Sequence, residues 1–456
     1  MKKIHLISII AIMVMLLVAV SPVAAQLGDT DKSSFTVQNV SDATANSVLV
    51  TFVKGDGTEI TPTELNSGKP NPFSLDPGES WEIYVPGVPG LDSGQYSVVV
   101  SADQKIVAIA NLVGEGSKYF NGSYSGFDTG ATTFYLPAIT YNYYGWYSFI
   151  SVQNIGANAT DISVALKCEN GTTGTLSATN VAGGSSVHFD LENLIPTGFT
   201  AATSCNGSAV VTSTIEDIIA VDNQTVPTQG NTQSYSGSIS GASTLYVPAL
   251  YNSYYGWAAS LNIRKLDAGN TTVTVTYSDT GLSTCNLTDA QPGCLLYMPS
   301  VHPGTGYFGA TITTSPAMNI VAVANAATTN GQAQTYSAIN PTEATNKVGA
   351  PSVMKSYYGW DSSFTCQNVG SDATSLHIEY DGYAGNAYNT ATLTTGKTLE
   401  IYVPSETFLP NGFQGGLTVT ANTSTAKISC IVNFTNPNQI RTTVGDWSMS
   451  VNSFSQ

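Results

Sequence analysis

One stretch, written three times, constrains this chain more than anything else in it. Phe134-Tyr-Leu-Pro-Ala-Ile139, Tyr143-Tyr-Gly-Trp146 and Phe149-Ile-Ser-Val-Gln-Asn154 return as Leu245-Tyr-Val-Pro-Ala-Leu250, Tyr254-Tyr-Gly-Trp257 and Leu261-Asn-Ile263. They return again as Val348-Gly-Ala-Pro-Ser-Val353, Tyr357-Tyr-Gly-Trp360 and Phe364-Thr-Cys-Gln-Asn368. Trp146, Trp257 and Trp360 are spaced by 111 and 103 residues. That period exceeds a solenoid repeat and matches a whole domain. A shortened copy, Phe35-Thr-Val-Gln-Asn39, opens the series without the Tyr-Tyr-Gly-Trp part.

Each copy carries the same ordered set of short segments. The third copy of one of them reads Thr271-Thr-Val-Thr-Val-Thr-Tyr277, with apolar and polar residues alternating. A period of two, β-branched and aromatic enrichment, and turn residues every eight to fifteen positions all specify antiparallel β-structure. About seven strands in roughly 105 residues is the count of an immunoglobulin-like sandwich. The expected fold is therefore all-β: four tandem immunoglobulin-like antiparallel β-sandwich domains after a signal peptide. Their boundaries are read at 26–130, 131–241, 242–345 and 346–456, the first lacking its leading strand. Short Gly/Ser/Thr linkers favour a rod of stacked domains.

Residues 1–25 read as a secretory signal peptide: Lys2 and Lys3, an apolar run from Ile4 to Val20, then Val23-Ala-Ala25 before the expected cut. The competing reading is an uncleaved anchor helix, for which the run is a little short. A secreted protein at the cell surface follows. Charged residues are 10% of the chain and the net charge is −16. Without a basic stripe to displace counterions, nucleic acid is excluded as a partner, and anionic membranes are disfavoured.

Six cysteines sort in pairs by repeat, Cys168 with Cys205, Cys285 with Cys294 and Cys366 with Cys430. In an exported chain this reads as one disulfide in each of the last three repeats. The Cys366–Cys430 pair is expected to resemble the inter-sheet bridge of immunoglobulin domains. Metal ligation lacks a Cys-x-x-Cys or a companion His, so no metal and no cofactor are assigned.

The combination of a Pro-containing strand, Tyr-Tyr-Gly-Trp, and Val-Gln-Asn-x-Gly resembles tandem repeats of secreted bacterial cell-surface proteins. That resemblance implies a surface role and no particular chemistry. The third repeat departs from it, with Arg264 in place of the Gln.

The chain is read as non-catalytic. His188, His302 and His377 share no register, and no nucleophile elbow, metalloprotease helix or phosphate loop occurs. The recognition candidates are the aromatic loops: Tyr143, Tyr144 and Trp146; Tyr254, Tyr255 and Trp257; Tyr357, Tyr358 and Trp360. Such rings stack on sugars or anchor protein partners. The structural alternative is that Trp folds back as an end plug, with Gly supplying a positive φ and Tyr hydroxyls meeting the domain junction. The Gln-Asn pairs read as side chains bonded to an adjacent turn. Among about ten Asn-x-Ser/Thr sites, the turn sites Asn170, Asn206 and Asn286 are the glycosylation candidates. The missing first strand leaves an edge that residues 27–33 cover or that another molecule pairs with, its C-terminal segment Trp447–Phe454 being one donor. The expected role is a rod-like scaffold or adhesin of an envelope layer, sheath or matrix, with carbohydrate binding as the alternative. Its partners would be itself or cell-surface polysaccharide.

Overall fold

The computed structural model describes residues 18–20, 30–115, 120–439 and 445–456. The expected signal peptide therefore lies outside the described residues, except for Val18–Val20. The chain is all-β, 59% strand and 4% helix, and every strand pair is antiparallel.

Residues 133–236 show the pattern that the chain repeats. Eight strands form in order: Thr133–Tyr141, Tyr147–Asn154, Thr160–Cys168, Thr173–Val181, Ser186–Asp190, Cys205–Ser213, Ile218–Val226 and Asn231–Ser236. They make two four-stranded sheets, first–sixth–third–fourth and fifth–second–seventh–eighth. Residues 244–337 repeat these pairings, with the first and second strands also hydrogen-bonded to each other. Residues 347–452 repeat them again. In the first repeat, Thr30–Asn39 pairs with Ser80–Tyr84 and Ile106–Glu115, and Ile106–Glu115 pairs with Phe120–Ser125.

Local chemistry explains the irregular points. In each complete leading strand the register shifts at the proline, between Leu136 and Ile139, Val247 and Leu250, and Ala350 and Val353. Proline has no N–H for the ladder, so the strand bulges there. The asparagine after each Gln staples a loop. Asn39, Asn154 and Asn368 each donate through Nδ2 to two carbonyls, at 2.7–2.9 Å. In the third repeat Lys265 stands there instead, and its ammonium binds the Asp267 carbonyl and the Asp289 carboxylate.

The sheets alternate only where one face meets solvent. Thr160–Cys168 buries every second residue, as the period of two requires. Ile218–Val226 buries all nine. Both faces of the seventh strand are covered, and in the other three repeats the second cover is the leading strand of a neighbouring repeat: Thr133–Tyr141 on Ile320–Thr328, Thr244–Tyr254 on Ile428–Thr435 and Lys347–Lys355 on Ile106–Glu115.

Contacts between the closing strands change the expected architecture. The closing strand Phe120–Ser125 packs on Asn231–Ser236, that on Ala333–Ser337, that on Ser448–Asn452, and that back on Phe120–Ser125. The expected rod is thus a closed ring, with the four closing strands around a central axis. Its lining is polar. Ser123, Ser234, Thr335 and Ser450 each donate a hydroxyl hydrogen bond to an asparagine Oδ1, on Asn111, Asn223, Asn325 and Asn433 respectively. One turn along, Ser236 Oγ donates to Ser125 O, Ser337 Oγ to Ser236 O, and Asn452 Nδ2 to Ser337 O. A rod would leave these groups on the surface; the ring buries them with partners, as burial of polar groups demands.

The structure has three disulfides, Cys168–Cys205, Cys285–Cys294 and Cys366–Cys430. Cys366 and Cys430 face each other on neighbouring strands of one sheet. The expected inter-sheet bridge is therefore a cross-strand staple, because the second and seventh strands are partners here. The edge of the first repeat is not bare either: Val18–Val20 pairs with Tyr96–Ser101. The C-terminal segment does not leave its own repeat, since Ser448–Asn452 pairs with Ile428–Thr435.

Candidate functional site

The three aromatic loops are two-residue hairpin turns. Tyr143 and Trp146 exchange backbone hydrogen bonds, as do Tyr357 and Trp360. The residues between them have positive φ: Tyr144 51° and Gly145 81°, Tyr255 48° and Gly256 85°, Tyr358 48° and Gly359 84°. Two positive φ angles make the tight turn that suits strand twist, and Asn-Gly is its usual occupant. A tyrosine there costs about 1 kcal/mol relative to an unstrained site. Glycine avoids that cost in every loop, yet the first central position is tyrosine each time.

Those tyrosines do not pack. Tyr144, Tyr255 and Tyr358 are 85%, 87% and 86% exposed, the most exposed large apolar side chains in the protein among the described residues. Each is held edge-on by its neighbour: Tyr143–Tyr144, Tyr254–Tyr255 and Tyr357–Tyr358 have ring centroids 4.7, 4.7 and 4.8 Å apart. The other two aromatics of each loop are half-buried. Trp257 is half-buried against Tyr251, and Trp360 lies beside Trp447. In the fourth repeat the first tyrosine reaches the first repeat: Tyr357 Oη donates to Glu82 at 3.1 Å. The loop thus divides its labour. Trp257 and Trp360, with Tyr254 and Tyr357, pack against their cores, and Tyr143 and Trp146 are half-buried; Tyr144, Tyr255 and Tyr358 stand in solvent.

Register puts the loops on one face of the ring. Tyr147, just past the first loop, pairs with Thr225, and Thr225 with Thr232. Thr232 N in turn donates to Asp446 at 2.9 Å. Asp446 lies on the axis at that end, so the exposed tyrosines surround the end that Asp446 closes. At the other end lies a cavity of about 290 Å³, lined by residues of all four repeats, among them Ser125, Ser236, Ser337 and Ser453.

The histidines are occupied structurally. His188 stacks on Phe149 and bonds Ser151, and burial pushes its pKa down to about 4. His302 stacks on Phe308 and holds Asp279 and Gly304. His377 bonds Asn389. Of the candidate glycosylation sites, Asn170 and Asn286 are exposed. Asn206 is 9% exposed, and its amide meets Asn262 of the next repeat. The sequence places Asn206 in an exposed turn, whereas the structure buries it in the strand Cys205–Ser213 at the junction, which removes it from the set.

Sequence reasoning missed the axial asparagines. Asn223 and Asn433 were visible only as glycosylation motifs. A signal was present: counted from Ile106, Ile218, Ile320 and Ile428, the same position of every seventh strand is asparagine.

One buried acid gives a pH dependence. Asp222 accepts from Ser148 Oγ and Gln224 Nε2, both at 3.0 Å, and burial pushes its pKa up to about 7. The unfolded chain ionises this group near pH 4 while the folded chain keeps its proton. Stability is therefore complete below pH 4 and falls as pH rises to 7, by roughly 1 kcal/mol per unit. Thermal melts of the native chain and Asp222→Asn should converge toward pH 4 and separate toward pH 8, the variant melting higher. Parallel curves would refute this.

No protein-family model matches the chain, and no curated protein matches it. Among solved structures, the crystal structure of Streptomyces avermitilis alpha-L-rhamnosidase complexed with L-rhamnose aligns at 8% identity and a TM-score of 0.15. The alignment covers 86% of this chain and 54% of that one, so the chain spans about half that enzyme's length. Among the described residues, no helix is long and apolar enough to cross a membrane.

Proposed function

We propose that this chain is a secreted, non-catalytic adhesive scaffold of an envelope layer, sheath or matrix, formed by four immunoglobulin-like sandwiches closed into a ring. The repeats keep two pairings of the immunoglobulin core, second with fifth and third with sixth, while the first and seventh strands exchange sheets. Three disulfides suit an oxidising compartment.

One observation carries the adhesive reading: Tyr144, Tyr255 and Tyr358 are solvent-exposed at equivalent backbone positions where tyrosine is strained. Beyond the edge of the preceding tyrosine no ring packs on them, which leaves their faces open to an external contact. Strain held against local preference is a mark of functional positions. Flat phenol rings on one face suit sugar rings of a surface polysaccharide. Each stack contributes about 1 kcal/mol, and three on a rigid frame reinforce one another through multivalency.

The test is a triple variant, Tyr144→Ala, Tyr255→Ala, Tyr358→Ala, assayed on a glycan array and by titration of intrinsic fluorescence. Loss of at least tenfold in polysaccharide binding with an unchanged melt is expected. Trp257→Ala serves as the packing control and should lower the melting temperature by several degrees. Equal binding by the triple variant and the native chain would refute the adhesive face.

A further inference from the structure

In the second and third repeats a buried tyrosine of the closing strand locks the leading strand in place. Tyr235 Oη donates to Ala138 O, and Ala138 N donates back to Tyr235 Oη at 3.3 Å. Tyr336 Oη donates to Ala249 O and receives Ala249 N at 3.0 Å. Tyr124 occupies the same register in the first repeat, opposite Ala110 as Tyr235 is opposite Asp222 and Tyr336 opposite Ala324. It is 1% exposed, and its hydroxyl has no hydrogen-bond partner among the described residues. A buried hydroxyl without a partner is costly and uncommon. Beside it lies a cavity of about 40 Å³ lined by Phe35, Tyr96, Val98, Ala110 and Leu112.

The strand over this position is Val18–Val20. Val18 lies opposite Val100 and Val20 opposite Val98. Phe134 and Leu136 take the equivalent places opposite Val211 and Ala209. An apolar strand therefore fits the slot in the leading-strand register. Yet Val18–Val20 lies upstream of the expected cut after Ala25. No strand described downstream is free to replace it. Ser448–Asn452 is paired within its own repeat, and Phe454–Ser455 is paired with Lys347–Lys355.

We propose that the exported chain, beginning at Gln26, presents this slot as an acceptor for an extended β-strand donated by another polypeptide. The donor's chemistry is set by the three leading strands of this chain. It carries apolar residues at two alternate positions, as Phe134 and Leu136, Leu245 and Val247, or Val348 and Ala350 do. It also offers a backbone carbonyl to the Tyr124 hydroxyl. Pairing at the free edge of Tyr96–Ser101 supplies main-chain hydrogen bonds, and the two apolar residues supply specificity. This inference rests on the repeat fold and on the proposed export with cleavage after Ala25, and it is independent of the tyrosine face.

The test uses chain 26–456 and a labelled peptide with the sequence of residues 244–252. Saturable one-to-one binding that raises the melting temperature is expected. A peptide with both apolar positions changed to Asp (Leu245→Asp, Val247→Asp) should bind at least tenfold more weakly. Tyr124→Phe should weaken the native peptide several-fold. A chain that retains residues 18–25 should exclude it. If chain 26–456 is unfolded alone, refolding with the peptide becomes the readout, and recovery supports the proposal. Three results would overturn it: no binding and no rescue, binding unaffected by residues 18–25, or an exported protein whose mass shows residues 18–25 still attached.

Discussion

Asp446→Ala should lower the melting temperature of the whole chain by several degrees and open the ring. The carboxylate of this residue is fully buried at the axis. It accepts from Thr232 N in the second repeat, Ala333 N in the third, and Ser448 N and Oγ in the fourth. Its own carbonyl receives Asn121 Nδ2 from the first. Gln332 clasps both flanks, donating to Gly445 O and accepting from Trp447 N. Burial raises the Asp446 pKa well above the usual carboxylate range, while the Thr232 and Ala333 N–H groups pull it down. Alanine leaves three buried N–H groups without an acceptor, each worth about 1–3 kcal/mol. Loss of at least about 3 kcal/mol follows, which for a chain of this size displaces the melt by about 3 °C or more. Small-angle scattering should show a larger radius of gyration. Asp446→Asn, which keeps one acceptor oxygen, should fall between. An unchanged melt for the alanine variant would show that the four repeats do not depend on this residue for closure.

Removing the Cys366–Cys430 disulfide should be the most damaging of the three disulfide losses. In the chain-entropy account, stabilisation grows with the loop closed. Cys366–Cys430 encloses a separation of 64 residues, Cys168–Cys205 one of 37 and Cys285–Cys294 one of 9. The first contributes about 4 kcal/mol on that account and the last about 2.5 kcal/mol. The Cys366 and Cys430 side chains are also fully buried, so a serine pair places two hydroxyls in a core made by Phe364, Ile378 and Val432. Calorimetry of the three double-serine variants should rank them 366/430, then 168/205, then 285/294. The reverse order would mean that local packing, not loop closure, sets the contribution of each disulfide.

Much of the fold was legible along the chain. Alternation in Thr271–Tyr277 and its counterparts specified strands, and the glycine of each Tyr-Tyr-Gly-Trp loop was readable as a positive-φ position, though not as half of a two-residue hairpin turn. The Gln-Asn pairs were readable as loop staples, which Asn39, Asn154 and Asn368 are. The aromatic loops were legible as a site but not in their parts. Nothing in Tyr-Tyr-Gly-Trp says that its first tyrosine and its tryptophan pack while the second tyrosine stands in solvent. That division depends on the positive φ of Tyr144, Tyr255 and Tyr358, which turns one ring away from the sheet.

By itself, then, the sequence determined that this is an antiparallel β-protein of repeated units, with turns, staples and cysteine pairs in fixed places. These follow from interactions within a few residues of the chain or from a period of two, and both are written locally. Only the tertiary structure decided that the repeats close into a ring, that Asn111, Asn223, Asn325 and Asn433 line its axis, and that Asp446 closes one end. A polar residue in an apolar strand reads the same whether it meets water or a hydroxyl on the next strand. Its partner is chosen by how whole sheet faces fit together, and that fit is not expressed in any short stretch of chain.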